Sequence, residues 1–76
     1  MASYYIDTYE YDEYYDKWIF EKTYRVDPRW IIYIDMDTGA HSKRYGDICK
    51  MQIKKEGFYY ESWINEDDAR FLLSEM

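Results

Sequence analysis

Between Lys17 and Val26 the side chains alternate: Trp18, Phe20, Tyr24 and Val26 fall on one side with Lys22, and Ile19, Glu21, Thr23 and Arg25 on the other. A period of two belongs to an extended strand with one covered face, and a helix cannot present it. This feature commits the chain to a sheet, and the segments that follow offer partners. Asp27-Pro28 punctuates the chain, and Trp30 to Ile34 resumes as a run that is apolar on both faces. Such a run predicts a central strand, joined to the first as a hairpin. Asp37-Thr38-Gly39 is expected to end it, with residues 39–46 as a polar loop. Ile48 to Lys54 alternates again, Lys55-Glu56-Gly57 makes a short turn with glycine at positive φ, and Phe58 to Trp63 returns as a strand.

The C-terminus changes period. Asn65 is a good N-cap, and Glu66, Asp67 and Asp68 place negative charge where the helix macrodipole favours it. Ala69, Leu72, Leu73 and Met76 fall at i, i+3, i+4 and i+7, an apolar stripe to lay on the sheet. Residues 4–16 fit two periods. Tyr11, Tyr14, Tyr15, Trp18 and Ile19 make a helical stripe, whereas Tyr5, Asp7, Tyr9 and Tyr11 make one side of a strand, which tyrosine favours. A strand over about residues 3–11 and a turn over 12–16 is the expectation. The fold class is α+β: a single domain over residues 1–76, an antiparallel sheet of four or five strands with one C-terminal helix packed on a face.

Only 14 of the 76 residues are Leu, Ile, Val or Phe, too few for an ordinary aliphatic core. Eleven Tyr and three Trp compensate, since their rings bury large areas while keeping a polar tip. Cys49 is the single cysteine, so no intrachain disulfide or Cys₂–His₂ zinc site can form. With no such staples, no signal-peptide pattern and no apolar run beyond Trp30–Ile34, a cytoplasmic location without membrane partners is expected.

Motifs that suggest catalysis are incomplete. Asp37-Thr38-Gly39-Ala40 looks like the active-site tripeptide of retroviral-type aspartic proteases, but the glycine-rich flap and the later apolar-Gly-Arg segment are missing. Asp35-x-Asp37 would open a calcium loop only with Gly at the sixth place and Glu at the twelfth, where Ala40 and Gly46 stand. His41 lies among Ser42, Lys43 and Arg44 without a nucleophile motif, and a strand cysteine such as Cys49 is ordinarily inert. The chain is read as non-enzymatic, with no catalytic residues, no cofactor and no metal.

Charge is distributed unevenly within a total of −6. Residues 1–16 hold five acids and no base, residues 61–76 sum to −4, and the middle is mildly basic. Lys43, Arg44, Lys50, Lys54 and Lys55 form a basic cluster interleaved with rings, which is the composition of a single-strand-binding surface and also of a protected sheet edge. The densest feature is Tyr4 to Asp16, with six tyrosines and five acids in thirteen residues. Along a strand, alternate carboxylates stand about 6.6–6.8 Å apart, close to the phosphate spacing of a nucleic-acid strand. Tyrosine adds contact area at low entropy cost.

In its compact size, acidic tyrosine-rich segment, absent catalytic set and acidic terminal helix, the chain resembles the small acidic inhibitors that phages use against host defence, including anti-CRISPR proteins and DNA mimics. That resemblance, one of composition and size, implies occlusion of a basic nucleic-acid-binding surface on a larger protein, a Cas effector complex or restriction enzyme, in the host cytoplasm and without direct nucleic-acid binding. The expected charged contacts are Asp7, Glu10, Asp12, Glu13 and Asp16, with Tyr9, Tyr11, Tyr14 and Tyr15 as anchors and Glu66, Asp67 and Asp68 as a second patch. The alternatives are a nucleic-acid-binding or regulatory module using the Lys/Arg cluster, and a homodimeric interaction domain. A monomer or a homodimer fits the sequence.

Overall fold

The computed structural model describes residues 2–76. Five strands, β1 (Tyr4–Asp12), β2 (Lys17–Val26), β3 (Ile31–Ser42), β4 (Gly46–Lys55) and β5 (Phe58–Asn65), precede one helix, α1 (Glu66–Ser74). The strands form one antiparallel sheet in the order β2-β1-β5-β4-β3. The α+β architecture read from the sequence is therefore present, with five strands and a helix packed on β3, β4 and β5.

The connectivity differs from expectation at one point. β2 and β3 do not form a hairpin; they are the two opposite edges of the sheet. The Asp27-Pro28 break becomes a 3₁₀ turn over Pro28–Trp30, capped by the Asp27 carboxylate, which accepts from the Arg29 amide at 2.9 Å. That turn carries the chain across, and β2 pairs with β1 instead. The apolar run from Trp30 therefore lies on an edge. One side of β3 is covered by α1 and the core, while Ile32 and Tyr33 remain exposed. Nor does β3 end at Asp37-Thr38-Gly39. It continues to Ser42, and the expected loop of residues 39–46 shrinks to a turn over residues 43–45. The motif is an irregularity within the strand: Asp35 pairs with Lys50 and Ala40 with Ile48, leaving residues 36–39 opposite Cys49 alone. Gly39 takes φ 75°, the Asp35 carboxylate accepts from the Asp37 amide at 2.9 Å, and the Thr38 hydroxyl donates to the Ile48 carbonyl.

The main core joins the sheet to α1. Ile6, Val26, Ile31, Cys49, Met51, Ile53 and Ile64 close on Ala69 and Leu72. Asn65 caps the helix as expected, accepting from the Asp68 amide at 2.8 Å. The stripe is narrower than predicted, because Leu73 and Met76 are exposed. Phe71 instead meets the edge of the Tyr4 ring at 4.8 Å between centroids.

Candidate functional site

A bulge in the first hairpin shapes the other face of the sheet. Thr8 pairs with Lys22, but its neighbour Tyr9 pairs with Phe20, so Glu21 is the extra residue. Adjacent residues of β1 point to opposite faces; Lys22 and Phe20 must therefore do so too. The uniform alternation expected over Lys17–Val26 is thus broken. Lys22, Tyr24 and Val26 lie on one face, and Trp18 and Phe20 are turned to the other. Thr8, fully buried, holds the bulge with its hydroxyl 2.9 Å from the Lys22 carbonyl and 3.0 Å from the Glu21 carboxylate.

The consequence is an aromatic layer on the face away from α1. Tyr45 packs on Tyr9 at 4.3 Å between centroids, Tyr11 meets Trp18 at 5.4 Å, and Trp18 meets Trp63 at 5.3 Å. The Tyr11–Trp18 contact is edge-to-face, an arrangement ring quadrupoles favour, and the other two pairs are tilted. Here the scarce aliphatics are replaced by rings. Tyr9 belongs to this layer: it is only 5% exposed, and burial raises its hydroxyl pKa, so it supports the sheet and is not available as a docking anchor.

The remaining tyrosines of the acidic segment behave differently. The β1–β2 hairpin closes through residues 13–16, and Asp12 builds the turn by accepting from the amides of Tyr14 at 2.9 Å and Tyr15 at 3.2 Å. Asp16 completes it at φ 52°, a left-handed conformation that Asp and Asn tolerate better than most residues. Tyr14 and Tyr15 are thereby held outward, 87% and 66% exposed, in a T-shaped pair 4.8 Å apart. Tyr11 is half-exposed beside them. Glu10 and Glu13 face solvent, and Asp12 sits opposite Lys17 across the hairpin.

The second acidic patch comes close to Asp7. β1 runs alongside β5, with Tyr9 paired to Trp63, so the start of α1 follows close to Asp7. Partial burial and the negative charges of Asp7 and Asp67 raise the Asp68 pKa. Asp7 accepts from the Thr23 hydroxyl at 2.8 Å. Glu66 is partly engaged within its own helix, receiving Arg70 at 2.7 Å, while Asp67 is free to solvent.

The basic cluster does not form one patch. Lys43 and Arg44 lie at the turn before β4, and Lys54 and Lys55 at the far end of that ten-residue strand, roughly 30 Å away at about 3.3 Å per residue. Lys50 lies over Trp63, Lys54 over Tyr59 and Lys55 over Trp30. These stems cover rings of the sheet as snorkelling lysines do.

His41 holds the Asp47 carboxylate at 2.8 Å, which lowers the Asp47 pKa. Cys49 is buried, and desolvation pushes its thiol pKa up, away from the reactive thiolate. Among the described residues no three His, Cys, Asp or Glu side chains converge as metal ligands. No described helix is long and apolar enough to cross a membrane. Comparison with family models, with curated proteins and with solved structures yields no match.

Proposed function

We propose that this chain is a non-enzymatic inhibitor that docks its acidic β1–β2 hairpin on a basic, nucleic-acid-binding surface of a larger host-defence protein. The observation that carries the reading is the hairpin tip. Two tyrosines are exposed there, Tyr14 more than Tyr15, on a turn that Asp12 and Asp16 build, with Glu10 and Glu13 near them in the chain. Exposed rings at a hairpin turn are of little use to the fold and are good anchors for a partner, since tyrosine loses little entropy on docking. Carboxylates around them match arginine- and lysine-lined grooves and speed encounter. The convergence of Asp7 with Asp67 and Asp68 extends the negative surface beyond the hairpin. The partner class is a Cas effector complex or restriction enzyme in a host cytoplasm, blocked by occupation of its DNA path, in the manner of anti-CRISPR proteins and DNA mimics.

The test is displacement. A labelled oligonucleotide duplex bound to purified RNA-guided effectors and restriction endonucleases should be released stoichiometrically by the wild-type chain. Tyr14→Ala with Tyr15→Ala should weaken release at least tenfold while leaving the thermal melt in place. Failure to displace DNA from any such enzyme, or equal displacement by the double variant, rejects the reading. A homodimer has one supporting observation, the exposed Phe58, Tyr59 and Tyr60 at the β4–β5 turn, and sedimentation equilibrium decides it.

A further inference from the structure

A groove of about 860 Å³ lies between the start of β2 and the β3–β4 turn. Its size falls in the range of small-molecule sites. The groove exists only in the folded chain, because its walls come from segments more than twenty residues apart. Trp18, Phe20, Tyr11 and Tyr45 contribute ring surface, and Lys17, Lys43 and Arg44 contribute positive charge. Asp16 is the one carboxylate in the lining. The Ser42 hydroxyl shapes the turn by accepting from the amides of Arg44 at 3.2 Å and Tyr45 at 3.0 Å. Although acids outnumber bases by 16 to 10, none of Lys17, Lys43 and Arg44 makes an ion pair among the described residues. Arg44 rests instead over the Tyr45 ring, 5.4 Å from its centroid, and Lys17 over the Tyr15 ring at 5.5 Å, outside the groove.

We propose that this groove binds a single nucleotide, with its base against the rings and its phosphate on Lys43 and Arg44. Rings supply sequence-tolerant stacking, and a guanidinium with an ammonium group supplies the anion site. The occupant is one nucleotide and not a strand, because the positive surface is one groove long. Asp16 lines it at the hairpin turn, Asp12 and Glu13 precede Asp16 in the chain, and Asp47 follows the β3–β4 turn, so the next phosphate would meet carboxylates. The groove shares Tyr11 and Asp16 with the hairpin, but nucleotide binding is read on the free chain and holds or fails whether or not the hairpin docks on a partner.

Adenosine 5′-monophosphate is a suitable probe, and the indole N–H resonances of Trp18, Trp30 and Trp63 report where it binds. Titration should move Trp18 saturably and leave Trp30, which is outside the groove, in place. Adenosine and ribose 5-phosphate should each bind at least tenfold more weakly than the intact nucleotide. Lys43→Glu with Arg44→Glu, both on the exposed turn, should weaken binding at least tenfold with an unchanged melt. A ten-residue oligoadenylate should bind no more tightly than the mononucleotide. The proposal is overturned by no saturable Trp18 shift, by equal binding of adenosine, by an unaffected charge-reversed variant, or by tighter binding of the oligonucleotide, which would mark a strand-binding surface.

Discussion

Leu72 and Leu73 are adjacent, chemically identical and equally placed in the apolar stripe, yet the fold assigns them opposite roles. Leu72 is fully buried among the residues that join α1 to the sheet, and Leu73 is 41% exposed. Replacing Leu72 by Ala removes three heavy atoms from a closed core and leaves a cavity, which costs about 2–5 kcal/mol. A chain of this size has a total stability of about 4–11 kcal/mol. The substitution therefore removes a large share of it. At about 4–8 °C per kcal/mol for a small domain, the melting temperature should fall by at least roughly 8 °C. Leu73→Ala opens no enclosed cavity and should cost under about 1 kcal/mol. Thermal melts of both variants by circular dichroism, with urea midpoints as a second measure, give the comparison. Equal losses for the two leucines, or a larger loss for Leu73→Ala, would refute the helix orientation on which this reasoning depends.

Two pH-dependent outcomes accompany it. The Arg29 guanidinium and amide beside Asp27 hold its pKa down to about 2, so the charged carboxylate stabilises the folded chain above the ordinary carboxylate range of about 3.9. Asp27→Asn should lower the melting temperature at neutral pH, and the difference should shrink as pH falls below about 4 toward 2; a pH series of melts checks it. Asp68 has the opposite sign. Its raised pKa means that its charge is disfavoured in the folded state, and the penalty is present once pH rises through that value. Asp68→Asn should therefore raise the melting temperature at pH 7, with no gain in acid, and a loss at pH 7 would show that charge at the helix start matters more than repulsion from Asp7 and Asp67.

Much of the fold was legible because strand and helix periods are local. A strand over residues 17–26, the Glu56-Gly57 turn and the Asn65 cap all occur at their expected places, although the strand's alternation is interrupted at Glu21. Pairing is not local. Nothing in residues 17–34 reveals that Asp27-Pro28 crosses the molecule, because a break of that kind serves a hairpin and a crossover equally well. The bulge at Glu21 was also hidden: one extra residue turns Trp18 and Phe20 to the other face without altering the pattern of residue types. A Gly in the run of residues 36–39 was the available sign that Asp37-Thr38-Gly39 bends a strand, but the same glycine reads as a strand end. For the candidate site, the acidic tyrosine segment was visible as composition. Its division into a buried Tyr9 and a solvent-facing Tyr14 and Tyr15 depended on β5 and Tyr45, both distant in sequence. The groove joining Lys17 to Lys43 and Arg44 had no local signal at all.

The most direct test of hairpin docking is the association rate of a charge-neutral hairpin with the enzyme that the wild type displaces from DNA. Glu10→Gln, Asp12→Asn, Glu13→Gln and Asp16→Asn remove four charges while preserving the turn, because Asn can accept the Tyr14 and Tyr15 amides and tolerates the left-handed backbone at position 16. Steering acts over a Debye length of about 8–10 Å, so the wild-type rate should fall steeply with rising salt. At low salt the neutral variant should associate at least tenfold more slowly, and the two rates should converge at high salt. If the neutral variant associates as fast as the wild type at low salt, the acidic hairpin is a solubilising surface and not a mimic of a phosphate backbone.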